Sequence, residues 1–525
     1  MNTEGKVLAI IGAGEGARPV LSKAKEIGVK TLVFARNDSS AKELADIFIE
    51  ENSFDVDFME KCCRDHDVCG VMPSSELSTE VAARLANKCG LPGNDIENGF
   101  GGKNKFVMRT KAARLSSVKQ PRYQLYQDGQ EVLFPVVVKS VDSCGKRGVS
   151  IAYNEEDLRQ AVLQAGEYSS DGGALVEEYI NGGQEYSVEC LSYGKGKHQV
   201  IQYTQKESAG PPHFVEIAHH QPANLSEAMK ARIDKAAWDI LEELGLTCGM
   251  AHLEIKVVDN EIYFIEVGAR GGGDHISDTL TPLSTGFDYY KAAIECHLGS
   301  YEPKAVTSQL YTGIYFHSKH NEYLRPLFDK AKTADWCIEN TIKNDEFGEA
   351  NGNIDASNTG YFIYSSDHKI GLPDCTELLK PHIINGALDS YELIKDYCRR
   401  IDNYNPDTFD SWYDKIIGTG NVIVITYQEI LAFLLLYCNH KDTLDGYICN
   451  VYVLDNYRGL GLSVGLLDKA VEVCRQKGFN SVSLHVDKTN TRAIGIYEKY
   501  GFIPTGLCKT QGDRTQIEMR FLIRD

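Results

Sequence analysis

Alternation of polar and apolar residues marks two short segments near the middle of the chain, Ala251–Val257 and Ile262–Val267. A period of two residues predicts β-strands with one buried face, because successive side chains of a strand point to opposite sides. Asp259 and Asn260, between the segments, are typical of a tight turn. We therefore predict an antiparallel hairpin whose loop has three residues, Asp259–Glu261.

The predicted register brings two carboxylates, Glu254 and Glu266, directly opposite each other on one face of the hairpin. Opposed carboxylates repel one another unless a cation lies between them. Oxygen ligands of this kind suit Mg²⁺ (or Mn²⁺), which takes its remaining ligands from water and substrate phosphates. Arg270 follows the second strand, where its planar guanidinium can hold a phosphate or a carboxylate. The alternative is a surface hairpin whose acidic residues face water.

Residues 6–90 alternate between apolar runs and amphipathic stretches, which is the pattern of a doubly wound α/β domain. A glycine turn at Gly12–Gly16 is similar to the phosphate-binding turn of dinucleotide-binding proteins. The next strand ends at Asn37 without the acidic residue that would bind a ribose, so a nicotinamide cofactor is not expected. Glu76 follows a later strand, at the edge where open α/β sheets bind ligands. The predicted elements are strands Lys6–Ile11, Lys30–Ala35 and Val68–Pro73 and helix Pro19–Ile27.

The middle of the chain mixes predicted helices and strands. Helical periodicity covers Glu155–Glu167 and Ser226–Leu244, and strand patterns cover Gln309–His317 and Thr359–Ser365. The polar tract Asn340–Asn358 predicts a loop.

A new unit begins near residue 385. It contains a predicted helix at Leu388–Ile401 and predicted strands at Asn421–Thr426, Ile430–Asn439 and Gly446–Leu454. The expected domains are an N-terminal α/β domain (1–95), a catalytic region (96–370), a connector (371–384) and a C-terminal domain (385–525).

Composition and charge narrow the range of functions. The chain has 525 residues, enough for about three or four domains. Its net charge of −19 argues against a nucleic-acid partner. The 15 cysteines are scattered without metal-like pairing, so we expect reduced thiols in a cytoplasmic protein. The first apolar run ends in glycines and is typical of a strand rather than a signal peptide, and the longest apolar run is too short to span a membrane.

Four features precede the hairpin in order. A helix-like segment begins at Asn104, a buried strand ends by exposing Lys139, and a glycine loop with two cations follows at Asp142–Gly148. The backbone N–H groups of such a loop can hold phosphates. An apolar strand then ends in Glu177 and Glu178. Taken separately, each feature is ordinary: a strand end that reaches water, a surface loop, or solvated glutamates.

Together these features resemble the ATP-grasp superfamily over roughly residues 1–370. Within it they are most similar to ligases related to carbamoyl-phosphate synthase, biotin carboxylase and the L-amino-acid ligases. The resemblance rests on the segments Asn104–Arg109, Phe134–Lys139, Asp142–Val149, Glu177–Tyr186 and Glu266–Asp274.

The resemblance implies a role for each matching position. Lys105 and Lys139 would contact the phosphates of ATP, and the glycine loop would close over them. Glu177 and the backbone near Tyr179 would meet the adenine, and Glu185 would meet the ribose. The implied ATP-binding residues are Lys105, Lys139, Ser143, Gly145, Arg147, Gly148, Glu177, Glu178, Tyr179, Ile180 and Glu185.

The same resemblance implies that Glu254 and Glu266 bind Mg²⁺ and that Arg270 is catalytic, because it grips the transferred phosphate or the acyl-phosphate. Gly268 is a departure, since the family often has asparagine at this position, and the metal site then has one protein ligand fewer. Transfer of the γ-phosphoryl group would convert a carboxylate into an acyl-phosphate that an amine attacks. The products would be an amide, ADP and phosphate.

Four residues are candidates for binding the substrates: Glu76, His219, His220 and Asp274. Glu76 would bind an ammonium group, and one of the two histidines would contact a carboxylate. The alternative for the histidines is that they are strand residues that point to opposite faces.

Residues 446–502 carry an independent pattern. A strand runs into Arg458–Ser463, which opens the amphipathic helix Ser463–Lys477, and the free N–H groups of a helix start suit a pyrophosphate. Strand Ser481–Val486 follows, then Asn490 and a short helix that contains Tyr497. These features resemble the GNAT superfamily of acetyl-CoA-dependent N-acyltransferases, and the resemblance spans about residues 385–525.

By this second resemblance Tyr497 is catalytic and protonates the leaving thiolate. Ser463 is a mild departure from the family pattern. No carboxylate lies within the strand Tyr447–Leu454, so the sequence assigns no general base. The implied acetyl-CoA-binding residues are Arg458, Gly459, Gly461, Leu462, Ser463 and Asn490.

The sequence therefore predicts a multidomain α/β and α+β protein: a Rossmann-like N-terminal domain, an ATP-grasp fold, and a GNAT fold with a central mixed sheet. The predicted activity is bifunctional: amide formation between a small carboxylate, for which an amino acid is expected, and a small amine, together with N-acylation. No nucleic-acid or membrane partner is expected, and the pattern is compatible with a homodimer. The alternatives are a bicarbonate-using carboxylase or carbamoyl-phosphate-type enzyme, and a non-catalytic sensor of ATP or acetyl-CoA.

Overall fold

The computed structural model describes residues 3–211, 214–342, 359–384, 394–398, 406–439, 441–511 and 514–523. The chain divides into two compact units. The first contains Met1–Glu322 and Ala331–Ile370, and the second contains Tyr323–Lys330 and Gly371–Asp525. Within the described ranges, no helix combines the length and the apolar character that crossing a membrane requires.

A four-stranded parallel sheet begins the first unit and agrees with the doubly wound pattern. Its strand order is β3-β2-β1-β4. Buried clusters lie on both faces, which explains why its strands are continuous apolar runs. The strands are β1 (Val7–Ile11), β2 (Lys30–Ala35), β3 (Ile47–Glu50) and β4 (Val68–Pro73), and the helices are α1 (Arg18–Glu26), α2 (Val56–Asp65) and α3 (Thr79–Lys88).

A small antiparallel sheet follows, with the strand order β5-β8-β6-β7. The glycine loop connects two of its strands. Asn104 caps the helix in front of it, because the Asn104 side chain accepts a hydrogen bond from the Val107 N–H at 3.0 Å. The strands are β5 (Tyr123–Leu125), β6 (Val136–Ser140), β7 (Ser150–Ala152) and β8 (Ala174–Glu178), and the helices are α4 (Lys105–Ala112) and α5 (Glu155–Tyr168).

The largest sheet has eight antiparallel strands in the order β13-β12-β9-β10-β11-β14-β16-β15. Its strands are β9 (Gln184–Tyr193), β10 (His198–Ser208), β11 (Glu216–Gln221), β12 (Cys248–Val258), β13 (Glu261–Gly268), β14 (Tyr311–His317), β15 (Cys337–Asn340) and β16 (Gly360–Ser366). The helices of this region are α6 (Glu227–Glu243), the π-helical turn Ile276–Leu280, α7 (Thr281–Thr285) and α8 (Tyr289–His297).

The hairpin β12–β13 has the predicted pairing of Glu254 with Glu266 but reaches it by a different route. Its loop has two residues rather than three, because Val258 pairs with Glu261. Asp259 and Asn260 both have positive φ, 49° and 66°, as a type I′ turn requires. A register shift next to Glu254 then restores the predicted opposition. The three-residue loop was therefore wrong, and a β-bulge compensates for the missing residue.

The second unit is built on a seven-stranded mixed sheet with the order β17-β18-β19-β20-β21-β23-β22. Only the β20–β21 pair is parallel among its described pairings. Its strands are β17 (Pro381–Ile384), β18 (Asn421–Tyr427), β19 (Glu429–Tyr437), β20 (Asp445–Val453), β21 (Ser481–Asp487), β22 (Ile503–Gln511) and β23 (Arg514–Leu522). The helices are α9 (Arg325–Ala331), which continues past this unit by one residue, α10 (Pro406–Thr419), α11 (Leu462–Gln476) and α12 (Thr491–Tyr500).

The segment expected as a connector, 371–384, is more ordered than its sequence indicates. It ends in β17, which pairs with β18 at the edge of the second unit's sheet. Most of the predicted loop Asn340–Asn358 and most of the predicted helix Leu388–Ile401 lie outside the described residues; residues 394–398 are helical. The remaining short 3₁₀ helices are Glu15–Ala17, Lys42–Leu44, Glu76–Ser78, Lys319–Leu324, Leu372–Leu378 and Asp455–Tyr457.

Candidate active sites

One cleft of the first unit, here the first cleft, brings together most residues that the sequence predicted for ATP and its metal. The predicted residues that line it are Lys105, Lys139, Ser143, Gly145, Arg147, Glu177, Glu178, Tyr179, Ile180, Glu185, Glu254 and Glu266. Sequence reasoning missed three other charged residues of the same lining, Lys206, Glu216 and Lys256, and predicted Lys146 only as one of the two cations of the glycine loop. These sit in strands or loops where the pattern alone does not tell which charged side chain faces a cleft.

Glu254 and Glu266 each face a lysine. Lys206 Nζ lies 2.6 Å from Glu254 Oε1, and Lys105 Nζ lies 3.6 Å from Glu266 Oε2. Although burial raises the pKa of Glu254, Lys206 and His252 hold that pKa well below its usual range, so the carboxylate is ionised.

The donor set fits a magnesium ion that shares its ligands with a nucleotide. Within the described part of the chain, no group of three or more histidine, cysteine, aspartate or glutamate side chains could hold a metal ion by itself. Two opposed carboxylates, Glu254 and Glu266, are the number that Mg²⁺ takes from proteins when phosphate oxygens and water supply the rest.

Glu177 is buried between two cations and is not accessible to the adenine of a nucleotide. It is 3% exposed, and its carboxylate lies 2.5 Å from Arg109 Nε and 2.8 Å from Lys139 Nζ. Burial alone would raise the pKa of Glu177, but the two cations lower it to about 2. Contact between the Glu177 carboxylate and adenine is therefore not what the geometry favours. Its side chain instead holds Lys139 at the cleft.

The neighbouring residues of the predicted adenine segment behave differently. Glu178 turns to Arg122, whose Nε lies 3.0 Å from Glu178 Oε2, and it still borders the cleft. Lys256 Nζ donates to the Ile180 carbonyl at 3.0 Å and lies 3.6 Å from Glu185 Oε1. Lys256 therefore fixes the far end of the segment.

The glycine loop reaches across the cleft through Lys146. Its Nζ donates to the Phe214 carbonyl at 2.5 Å and to Glu216 Oε1 at 2.6 Å. Gly148, which was predicted to bind ATP, is not among the residues that line the cleft. It packs against α5 instead, where a Cβ atom would lie 3.1 Å from Ala165 Cα. Its φ of 70° and this close approach explain the glycine without a phosphate contact.

A second pocket, here the adjoining pocket, lies next to the first cleft at the glycine loop. Cys144 and Gly145 of this loop line both the cleft and the pocket. Three predicted residues line this adjoining pocket: Glu76, Arg270 and Asp274. Arg270 Nε lies 2.6 Å from Glu76 Oε2. Burial raises the pKa of Glu76, and Arg270 opposes that rise.

Gly268 is explained by the same pocket. A Cβ atom at this position would lie 2.8 Å from Glu76 Oε2. The Glu76 carboxylate therefore fills the space beside the second acidic residue of the hairpin, where the sequence resemblance leads one to expect a larger side chain.

The two histidines point to opposite faces of the largest sheet, as the alternative interpretation held. His219 Nε2 lies 3.5 Å from Asp274 Oδ2, so His219 backs the adjoining pocket. His220 Nδ1 lies 3.0 Å from the Tyr364 hydroxyl and His220 Nε2 lies 3.3 Å from Glu207 Oε1. Burial lowers the pKa of His220 to about 4. The structure thus places His219 beside Asp274 of the pocket and His220 in a separate buried cluster, so the geometry favours His219 over His220 for the predicted substrate contact.

Sequence reasoning also missed Glu189, a fully buried carboxylate on β9. Glu189 Oε1 lies 2.5 Å from His252 Nδ1, and Glu189 Oε2 accepts from the Gly272 N–H at 3.0 Å and the Ser277 hydroxyl at 2.9 Å. Burial lowers the pKa of His252, but Glu189 and Glu254 together raise it to about 9. Glu189 therefore ties the acidic hairpin to the loop that borders the adjoining pocket.

A second cleft lies in the second unit and contains all of the predicted acetyl-CoA residues. They are Arg458, Gly459, Gly461, Leu462, Ser463 and Asn490, together with the predicted catalytic Tyr497. Gly459 and Gly461 have φ of 89° and 74°, which only glycine adopts easily, and they turn the chain into helix α11. Burial raises the pKa of Tyr497 to about 12.

Asn490 also stabilises the start of a helix next to this cleft. Its side-chain oxygen accepts from the Ala493 N–H at 3.1 Å and so caps helix α12. A cofactor contact by Asn490 is therefore an additional role rather than the sole reason for an asparagine.

Two family models match this chain, one within each of the two compact units. Residues 132–278 match the family described as "ATP-grasp domain", and residues 388–502 match "Acetyltransferase (GNAT) family". A curated relative, formate-dependent phosphoribosylglycinamide formyltransferase of Wolinella succinogenes, is 24% identical over 309 residues, which is 56% of this chain and 76% of the relative.

Solved structures share the fold. The L-amino acid ligase of Bacillus licheniformis has a TM-score of 0.57 at 20% identity, over 70% of this chain and 94% of that one. Phosphoribosylglycinamide synthetase of Anaerococcus prevotii has a TM-score of 0.53 at 19% identity, over 71% of this chain and 96% of that one. The domain types use ATP with Mg²⁺ and acetyl-CoA, respectively, as their cofactors. The chain is therefore an enzyme that combines an ATP-grasp ligase domain with a C-terminal acetyltransferase domain of the GNAT family.

Proposed function

We propose that the first unit joins a carboxylic acid, specifically an amino acid, to an amine through an acyl-phosphate. The observation that carries this proposal is the continuity of the first cleft with the adjoining pocket at Cys144 and Gly145. A terminal phosphate held at that end of the first cleft lies next to an acid held in the pocket. Such positioning is a large part of the catalysis of phosphoryl transfer.

The cations of the first cleft support the phosphoryl-transfer half of the reaction. Lys105 and Lys139 are held in the cleft by Glu266 and Glu177 before a nucleotide binds. They would offset the charge that spreads over the transferring group, with Arg270 at its pocket end. A magnesium ion held by Glu254 and Glu266 would supply further positive charge at the phosphates.

The Glu76–Arg270 pair supports an amino acid as the acid. A carboxylate and a guanidinium 2.6 Å apart in one pocket offer opposite charges to the two charged groups of a zwitterion. Glu76 would bind the ammonium group, and Arg270 would bind the carboxylate that becomes the acyl-phosphate. His219 lies 3.5 Å from Asp274, which lines the same pocket.

The test is phosphate release from ATP by the full chain with every amino acid, alone and in pairs, with mass spectrometry of the products. We expect release that needs two substrates and a product lighter by one water than their sum. Tight ATP binding without ADP formation on any pair would instead favour a nucleotide sensor.

A second candidate for the acid has one observation in its favour. The curated relative named above is formate-dependent. Formate and bicarbonate therefore belong in the same panel, and phosphate release with either of them in place of an amino acid would overturn the amino-acid assignment.

We propose that the second unit transfers the acetyl group of acetyl-CoA to a primary amine. Tyr497 in the second cleft supports this assignment, with one change to its predicted role. A thiol has a pKa of about 8.5, whereas that of Tyr497 is about 12. Full proton transfer to the thiolate would run uphill, so Tyr497 acts as a hydrogen-bond donor that stabilises the leaving sulfur.

We further propose a cytoplasmic location. Each of the 15 cysteines is a thiol rather than half of a disulfide bond. A protein with this many cysteines outside disulfide bonds fits a reducing compartment.

A further inference from the structure

Strands β20 and β21 part at the edge of the second cleft. Their parallel pairing ends at Ile448 and Leu484. At the same point the pairing of β20 with β19 shifts by one residue, so Cys449 forms a bulge. Bulges of this kind redirect a strand next to active sites. Tyr452, farther along β20, already lines the second cleft.

His485 is the first residue of β21 beyond the last β20–β21 pair. Its Nδ1 lies 3.1 Å from the Tyr447 hydroxyl of β20, and its Nε2 lies 3.9 Å from Glu518 Oε2 of β23. The His485 side chain is 22% exposed and that of Glu518 is 13% exposed. A histidine and a carboxylate therefore lie next to each other at the point where the two strands part, and both are mostly shielded from water.

The arrangement leaves one nitrogen of His485 free for chemistry. When Nδ1–H donates to the Tyr447 oxygen, the lone pair of Nε2 faces Glu518. Two acceptors 3.9 Å apart can both be reached by a single ammonium nitrogen at an ordinary hydrogen-bond distance of about 2.8 Å.

Arg520 and Asp445 surround Glu518 and fix the position of its carboxylate. Arg520 lies 3.1 Å from Glu518 Oε1 and 3.6 Å from Asp445 Oδ2. Asp445 in turn accepts hydrogen bonds from Ser481 and Ser483 at 2.5 and 2.8 Å. With two carboxylates and one guanidinium, the cluster around His485 favours a cationic acceptor over an anionic one.

We propose that Glu518 and His485 form the acceptor subsite of the acetyltransferase. The ligand of this subsite is a primary ammonium group. His485 is the general base that the sequence did not assign. This inference rests on the acetyl transfer proposed above. Nε2 takes one proton from the ammonium, and the neutral nitrogen attacks the thioester carbonyl. The C–N bond forms, the C–S bond breaks, and the leaving sulfur takes the second nitrogen proton. The imidazolium then returns its proton to water, so the balance is one amide, one thiol and one proton.

The test uses the full chain with acetyl-CoA and a panel of the 20 amino acids and 1,4-diaminobutane, read out as thiol release. His485→Gln should lower the kcat of acetyl transfer by about 100-fold or more, while the Kd for acetyl-CoA and ATP-dependent ligation stay unchanged. Glu518→Gln should instead raise the KM for the amine by about 10-fold. His382→Gln, the same change at an exposed position of β17, is the matched control and should change neither.

Two results would overturn the proposal. The first is a His485→Gln variant that acetylates amines as fast as the wild type. The second is a variant that loses acetyl-CoA binding together with activity, because a base for the acceptor should not affect cofactor affinity.

A wild type that acetylates no amine of the panel would contradict the proposed acetyl transfer rather than the subsite. The subsite is then tested by NMR, with 1,4-diaminobutane as the probe and the His485→Gln spectrum as the assignment. The diamine should shift the His485 imidazole signal in the wild type and not in Glu518→Gln. No shift in the wild type would overturn the subsite as well.

Discussion

At the scale of single residues, Glu177 and Glu178 show how adjacent carboxylates can differ in energy. Glu177 is almost fully buried between Arg109 and Lys139, whereas Glu178 is 36% exposed and pairs with Arg122. A buried ion pair that loses one partner leaves an uncompensated charge inside the protein. An exposed pair is screened by water and contributes little.

Glu177→Gln should therefore destabilise the first unit by about 3–5 kcal/mol at pH 7, and Glu178→Gln by less than about 1 kcal/mol. The pKa of Glu177 in the folded protein is about 2, below that of the unfolded chain. Its stabilisation is thus complete above about pH 4.3 and is lost as the pH falls toward 2. Denaturant unfolding of both variants as a function of pH measures this, and equal losses in the two variants would contradict it.

At the scale of elements, the acidic hairpin and the loop of the adjoining pocket are coupled by one carboxylate. Glu189 on β9 binds His252 of β12 on one side, and Gly272 of the loop and Ser277 of the π-helical turn after it on the other. Partners of this kind orient metal ligands without touching the metal. The coupling requires strands that are distant in sequence to be neighbours in the sheet.

Glu189→Gln should lower the kcat of ligation about 10- to 100-fold and raise the magnesium concentration needed for half the maximal rate. Ser277→Ala removes only one of the three hydrogen bonds and should have a smaller effect. The readout is ADP release across a magnesium titration, with circular dichroism to verify folding. An unchanged magnesium requirement in a folded Glu189→Gln protein would mean that the network is only structural.

At the scale of the whole molecule, the two chemistries use separate sets of residues. The first cleft and adjoining pocket are lined from the first unit, and the second cleft is lined from the second unit. Each set has its own core clusters. The simplest expectation is that the two activities can be removed one at a time.

Glu266→Gln should abolish substrate-dependent ADP release, because it removes one of the two carboxylates that would hold magnesium, and it should spare acetyl-CoA turnover. Tyr497→Phe should slow acetyl transfer about 10-fold and spare ligation. Both activities are measured on each variant at the same protein concentration. Loss of both activities in either variant would end the idea of independent sites.

Much of this protein was readable from local sequence. The parallel sheet, helix α5, the Asn104 cap and the two glycine turns follow from periodicity and from residues whose backbone preferences act over a few positions. The candidate residues of both clefts came from the resemblance to two families, whose motifs place these residues at strand ends and helix starts.

Tertiary structure decided what pairs with what. The sequence predicted that Glu254 lies opposite Glu266, but only the structure shows the β-bulge that produces this pairing. Burial distinguishes Glu177 from Glu178, whereas His219 and His220 are both buried and differ in the face of the sheet to which they point. Long-range contacts such as those of Glu189 and His485 leave no local signal, because their partners lie on other strands. The sequence by itself determined which chemical groups this protein carries, and the fold decided which of them face each other, since charge and reactivity depend on neighbours that the chain brings together only by folding.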